Sequence, residues 1–324
     1  MKALQCKAFG PVEQLALTEV ADPVPGAGEI LVEVSAIGVN FPDALIVQGK
    51  YQMKPAVPFA PGFECAGVVK AIGAGVTGFK PGDRVVALPD IGAYAEQVCV
   101  PAWRAFPLPD AIDFATAAAF LLTYGTAWYG LVSCGHLAKS ETLLVLGASG
   151  GVGLAAVHIG KLLGTRVIAA ASSDEKLALC TRNGADDTIN YSRDDLKTRV
   201  RELTGGKGAN VIFDPVGGDF SEAALRSIAW RGRLLVIGFA NGAIPRLPTN
   251  FILLKNCSVI GVLWGEYSVR EPESFRAEME ALLQRFAAGE LMPHISARYP
   301  LAQGVAALQA MLERRVTGKV VIEP

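Results

Sequence analysis

The sequence predicts an α/β protein of two parts, a β-rich domain and a doubly wound parallel-sheet domain, on three observations. The first 110 residues are dense in short β-type runs broken by Gly and Pro. From about residue 141 short apolar strands alternate with helix-like segments. A glycine-rich turn, GASGGVG (147–153), separates the first strand and helix of that second region.

Taken in order, EILVEVSAIGV (29–39), ECAGVVKAIG (64–73), DRVVAL (83–88) and YAEQVCV (94–100) read as strands of a mostly antiparallel β domain. Pro-Gly pairs at 25–26, 61–62 and 81–82 mark the turns between them. The uncharged stretch FATAAAFLLTYGTAWYGLVSCG (114–135) is long enough to span a bilayer. Thr116, Thr123, Gly125, Thr126 and Gly130 dilute it and no basic cluster flanks it, so it reads as a buried helix pair or domain junction.

TLLVLGA then opens a strand–helix series through GVGLAAVHIGKLLG, TRVIAAA, DEKLALCTRNG, DDTINY, DLKTRVRELTGG, ANVIFDPVG, SEAALRSIAWRG and RLLVIGFA. Strands apolar throughout are expected where helices cover both faces of a parallel sheet. Gly164, Gly184, Gly206 and Gly232 are expected to stop the four helices. CSVIGVLW (257–264) supplies a sixth strand. The tail, with a helix at 273–289, HISARYPL, a further helix and the closing strand GKVVIEP, is expected to pack back onto the first domain.

Composition narrows the function. A 324-residue chain that is 51% hydrophobic fills two cores. Thirty basic against thirty-one acidic residues, with no basic run, exclude nucleic acid as an expected partner. The start, MKALQCKAFG, has no secretory character, and no membrane partner is expected. Six cysteines (6, 65, 99, 134, 180, 257) and three histidines (136, 158, 294) lie scattered without metal-ligand spacing. No metal is expected, and the thiols read as reduced core cysteines of a cytoplasmic protein. No Ser/His/Asp or Cys/His arrangement supports hydrolysis.

In LVLGASGGVG, Ala148, Gly150 and Gly153 hold the three positions of the dinucleotide fingerprint G-x-G-x-x-G. The second glycine lets a pyrophosphate approach the backbone, the third lets helix pack on strand, and the helix N-terminus supplies amide donors. Gly147, beside the missing first glycine, can restore the slack of the turn. Nineteen residues past Gly153, where an NAD enzyme places an acid for the ribose, stand Ser172 and Ser173, with Lys176 one turn on. Their hydroxyls and amine suit a 2′-phosphate, so NADPH is the expected cofactor. Ser172 and Glu175 also have capping-box spacing, a reading compatible with the first.

GVNFPDALIVQGKY (38–51), PFAPGFECAGVV (58–69), GDRVVAL (82–88), TAWYGL (126–131), GASGGVGLAAVHIGKLLG (147–164), GADDTINY (184–191), VIFDPVGG (211–218), GRLLVIGF (232–239) and GKVVIEP (318–324) carry a resemblance over nearly the whole chain. The sequence resembles the zinc-independent quinone oxidoreductases of the medium-chain dehydrogenase/reductase superfamily. The resemblance implies a GroES-like catalytic domain (1–122 with 266–324), a Rossmann NADPH-binding domain (123–265) and a homodimer joined through CSVIGVLW. Where zinc-using relatives carry a Cys and a GHE histidine, this chain has Asn40 and Phe63, and VVALPDIGAYAEQ leaves no room for their four-cysteine lobe.

The resemblance also implies a site. Gly151, Val152 and Gly153 would meet the pyrophosphate, Ser172, Ser173 and Lys176 the 2′-phosphate, and Tyr191 the adenosine. Val216, Phe239, Ala240, Val262, Leu263 and Trp264 would flank the nicotinamide. Asn40, Phe41, Pro42, Asp43, Thr126, Tyr129 and Lys319 would line the cleft from the catalytic-domain side. Asn40 and Asp43 read equally as turn formers around Phe41-Pro42. Tyr51 can donate its hydroxyl to a substrate carbonyl, or stand as a loop tyrosine after Gly49. Many relatives have a second Tyr where this chain has Leu45, so solvent competes as the proton source.

The implied reaction is hydride transfer from NADPH to a quinone or an α,β-unsaturated carbonyl. The alternatives are an enoyl-thioester or alkenal reductase with little quinone activity, and a non-catalytic NADPH-binding protein.

Overall fold

The computed structural model describes residues 1–324, which divide into two compact units, Met1–Leu122 with Arg276–Pro324, and Thr123–Phe275. The return to the first unit thus falls at 275/276, and Trp264–Arg270, a helix, belongs with the second unit.

The first unit is a seven-stranded sheet whose spine is the strand Glu29–Val39. That strand pairs antiparallel with Cys65–Ile72, Gln97–Pro101 and Lys319–Glu323. Ile295–Pro300 adds parallel to the last of these. Alternation along the spine buries Ile30, Val32, Ile37 and Val39 in a core shared with Leu4, Val69, Val100, Leu308 and Ile322. The tail folds onto this sheet because Val320 and Ile322 supply the matching apolar face.

The second unit is a six-stranded parallel sheet. Its strands lie in the order Asp187–Asn190, Arg166–Ala171, Thr142–Leu146, Ala209–Asp214, Ile228–Val236, Ser258–Gly261. Numbered within the unit this is 3-2-1-4-5-6, the Rossmann order, whose switch point falls between Thr142–Leu146 and Ala209–Asp214. Leu143, Leu144, Val145 and Leu146 are all fully buried, as expected for a central strand covered on both faces.

Gly164, Gly184 and Gly206 adopt left-handed backbone just beyond their helices, as the sequence predicts. Gly232 does not. The helix Asp219–Arg226 stops six residues earlier, and Gly232 lies inside the strand Ile228–Val236. Arg231, with φ of 58°, bulges this strand, and its pairing with Ala209–Asp214 resumes in register from Arg233. Ile228 and Trp230 favour an extended segment over the final helical turn. The uncharged stretch forms the helices Phe114–Ala118 and Leu121–Trp128 and a π-helical turn Tyr129–Cys134. No helix is long and apolar enough to cross a membrane.

Candidate functional site

The residues in question form two groups, one in each unit. In the first unit, strand register assembles a buried polar cluster. Val320 pairs with Val39, which brings Lys319 beside Asn40. Ile37 pairs with Cys65, which brings Glu64 beside Gly38. A Cβ on Gly38 would collide with the Glu64 carboxylate and the Ala118 carbonyl, so only glycine leaves room for the acid. Lys319 Nζ donates to Glu64 Oε1, to Asn40 Oδ1 (2.7 Å) and to the Val39 carbonyl (3.0 Å). Asn40 Nδ2 donates to Glu64 Oε1 (2.9 Å) and to the Gly38 carbonyl (3.0 Å). The Leu122 amide donates to Glu64 Oε2 (2.9 Å). Asn40, Glu64 and Lys319 are all buried.

Asn40 is also the residue that precedes the helix Phe41–Val47, with Pro42 in its first turn. Asp43 Oδ2 accepts from the Asn40 amide (2.8 Å), the acidic half of a capping box, and from the Tyr94 hydroxyl (3.0 Å). Asp43 is fully buried and its Oδ1 has no partner. Burial outweighs these donors and pushes its carboxyl up to about 7. The Tyr94 phenol is pushed well above its ordinary value, first by burial and then by the Asp43 charge. The ring of Tyr51 packs on Phe63 at 5.7 Å, and burial followed by the Asp43 charge raises its phenol.

The structure therefore joins Asn40, Asp43 and Lys319 in one network and adds Glu64 and Tyr94, which the sequence reading did not assign. The turn around Phe41-Pro42 is a helix start. The signal was present: Asn40 and Asp43 have capping spacing directly before an apolar run. Thr126 and Tyr129 belong to the second unit, not to the catalytic-domain side, because they lie on the helix Leu121–Trp128 and the turn after it. There Tyr129 stacks on Tyr267 at 4.1 Å.

In the second unit the glycine turn follows the strand Thr142–Leu146. Gly147 carries the left-handed conformation (φ 56°) that the missing first glycine would have carried, and Ala148 is buried beside it. A Cβ on Gly153 would collide with the Gly147 carbonyl, so the third glycine is a packing requirement. A Cβ on Gly150 would meet only that carbonyl, at 3.5 Å, so the second glycine leaves open space. No side chain caps the helix Gly151–Leu162, and its first backbone-bonded amide is Leu154 N, donating to Gly150 O. The amides of Gly151, Val152 and Gly153 are left for an anion. This cradle fits a dinucleotide pyrophosphate.

Val216 packs against the turn, since a Cβ on Gly147 would stand 2.9 Å from its methyl. Asp214, buried at the end of its strand, accepts from the amides of Val216 (2.9 Å) and Gly217 (3.0 Å) and from the Ser221 hydroxyl. Five backbone bonds then zip residues 214–218 to the loop after the next strand: Ile237 N and Gly238 N to Asp214 O, Ala240 N to Pro215 O, Asn241 N to Val216 O, and Gly218 N to Ala243 O. Val216, Phe239 and Ala240 thus share one platform, with Phe239 exposed. Val262 and Trp264 are buried and Leu263 is exposed.

At the neighbouring strand end Ser173, not Ser172, begins the helix Asp174–Arg182, its Oγ accepting from the Lys176 amide (3.3 Å). Ser172 lies just past the strand Arg166–Ala171, and its Oγ accepts from Lys176 Nζ at 3.4 Å. Tyr191 lies against Phe220 with ring centroids 4.5 Å apart.

Two family models match the chain: an alcohol dehydrogenase GroES-like domain over residues 26–110 and a zinc-binding dehydrogenase domain over residues 151–287. The chain is 42% identical over 300 residues to quinone oxidoreductase-like protein 2 homolog of Nematostella vectensis, covering 92% of this chain and 82% of that protein. It is 37% identical to the quinone oxidoreductase of Pseudomonas aeruginosa, covering 100% of this chain and 99% of that one. The solved quinone oxidoreductase of Escherichia coli, complexed with NADPH, superposes with a TM-score of 0.94 at 32% identity, over 100% of both chains. The residues do not fit the zinc of the second model's description. Phe63 and Asn40 offer no thiolate, imidazole or carboxylate, the Lys319 ammonium already neutralises Glu64, and no group of three His, Cys, Asp or Glu side chains is placed to hold a metal. GroES-like sheet, Rossmann sheet and full-length similarity agree, and the chain belongs to the quinone oxidoreductase-like family of the medium-chain dehydrogenase/reductase superfamily.

Proposed function

We propose that the chain is an NADPH-dependent, metal-free reductase that passes hydride to quinones or α,β-unsaturated carbonyls. The glycine turn carries this reading: an open cradle with three helix amides at the switch point of a Rossmann sheet, one strand from Ser172 and Lys176. The NADPH complex of the Escherichia coli relative supports the choice of cofactor.

Gly150, Gly151, Val152 and Gly153 hold the pyrophosphate. Ser172, Ser173 and Lys176 hold the 2′-phosphate, and Tyr191 bounds the adenosine. Val216, Phe239 and Ala240 support the nicotinamide from their shared platform, and Thr126, Tyr129 and Val262–Trp264 complete its surroundings. Bound NADPH supplies the hydride.

The first unit contributes polarity. Lys319, Asn40 and Glu64 form a closed, charge-compensated polar edge that holds the start of the helix Phe41–Val47 in place. Phe41 and Pro42 bound this edge, and Asp43 fixes the backbone of Asn40. The Tyr51 hydroxyl, kept protonated by burial, donates to the acceptor oxygen. The free cysteines suit the cytoplasm. The exposed edge strand Ser258–Gly261, with Val259 and Leu263 open, suits pairing with a second copy.

Turnover of a small quinone and a small enone, each with NADPH and with NADH, tests the reading. NADPH-supported reduction of at least one acceptor is expected, with NADH markedly poorer. Tyr51→Phe should then lower kcat by about 100-fold. NADPH that binds but reduces neither acceptor would overturn the proposal.

A further inference from the structure

Beside Ser172 and Lys176 the structure holds a charge arrangement that the cofactor reading alone does not explain. The helix Asp174–Arg182 begins with two acids, Asp174 and Glu175, at the strand end where a phosphate dianion would sit. Uncompensated carboxylates there would repel it. Asp174 is compensated from the next strand. Its Oδ1 accepts from Asn190 Nδ2 (2.9 Å) and its Oδ2 from Arg193 Nη1 (2.7 Å). The Ser192 hydroxyl ties the two loops together by donating to the Ser172 carbonyl (2.8 Å).

We infer that Arg193, through its ion pair with Asp174, is a specificity-determining residue for the 2′-phosphate. The inference rests on the NADPH reading and extends it. Arg193 cancels the nearest negative charge; of the five donors of its guanidinium, one on Nη1 goes to Asp174 and the one on Nε faces Asp194 Oδ1 at 3.7 Å. Its side chain is 62% exposed, so the three donors left on Nη1 and Nη2 are open to an incoming phosphate. An exposed pair of this kind contributes little to folding, so its removal reads on binding. Lys176 alone, bonded to Ser172, places one ammonium against two acids. Arg193 answers Asp174 directly and so lowers the negative charge facing the phosphate, although Asp194 also draws on its Nε.

The test is calorimetric binding of 2′,5′-ADP and of ADP to the full chain, with no turnover required. The wild type should prefer 2′,5′-ADP. Arg193→Gln should weaken 2′,5′-ADP about tenfold or more, the size of one charged hydrogen bond, and ADP less than twofold. Adding Asp174→Asn to Arg193→Gln should restore part of the loss, because the uncompensated carboxylate is gone while the contact of Arg193 with the phosphate is not replaced. An Arg193→Gln protein that keeps the wild-type preference, or loses both ligands equally, overturns the inference while leaving the cofactor reading intact. Failure of Asp174→Asn to rescue overturns the role of the ion pair. A wild type that does not distinguish the two nucleotides overturns the NADPH reading itself, and this inference with it.

Discussion

In the first unit the polar groups of interest are buried side chains that satisfy one another. In the second they are backbone amides and exposed cations at strand ends. Asn40, Asp43, Glu64 and Lys319 are inside the protein, whereas the helix at Gly151 has no cap and Lys176 and Arg193 reach solvent. Buried charges are held only by their partners, so changing one costs folding energy along with function. At the glycine turn the two costs separate, because open space above Gly150 contributes nothing to the fold.

The largest effect is expected from Lys319→Met. It strands Glu64 and removes the nearest cation from Asp43, and should cost about 3–5 kcal/mol in urea unfolding. Pairing it with Glu64→Gln should recover much of that loss. A cost below about 1 kcal/mol, well under the usual penalty, would show that the cluster is not the linked unit described.

Asp43→Asn comes next and reads through pH. The carboxyl sits near 7 when folded and near 4 when unfolded, so folding takes up a proton between those values. The stabilisation this gives is complete below about pH 4 and is lost as pH rises through about 7. Oδ2 already faces two donors, which leaves the orphan Oδ1 to carry the proton. Relative to Asp43→Asn, wild-type unfolding free energy should fall by something on the order of 4 kcal/mol over that interval. Parallel pH profiles for the two proteins would remove the raised carboxyl.

The smallest effect on stability, and the best discrimination, comes from the two glycines. Gly153→Ala forces Cβ into backbone and should cost about 1–3 kcal/mol along with dinucleotide affinity. Gly150→Ala should leave the unfolding midpoint nearly unchanged and still weaken the dinucleotide. Equal destabilisation by both would erase the distinction between packing glycine and ligand glycine.

Much of this was legible residue by residue. The doubly wound sheet was readable from apolar runs and helix-stopping glycines, and the displaced first glycine was visible at Gly147. Gly232 misled, because a glycine after a helix-like segment looks the same whether it stops a helix or sits in a bulged strand. Ser172 misled for a related reason: adjacent serines offer two caps, and where the strand ends decides between them. Glu64 stood in the quoted motif but carried no local sign of its partner.

By itself, then, the sequence determined the two folds, the nucleotide turn and the absence of paired metal ligands. All of these rest on spacings within a few dozen residues, where backbone periodicity and turn chemistry act. Only the tertiary structure decided that Lys319 neutralises Glu64 across 255 positions, that Tyr94 caps Asp43, and that Arg193 answers Asp174. Those pairings follow from strand register and from the cost of leaving a buried or crowded charge unmatched, which no local pattern encodes.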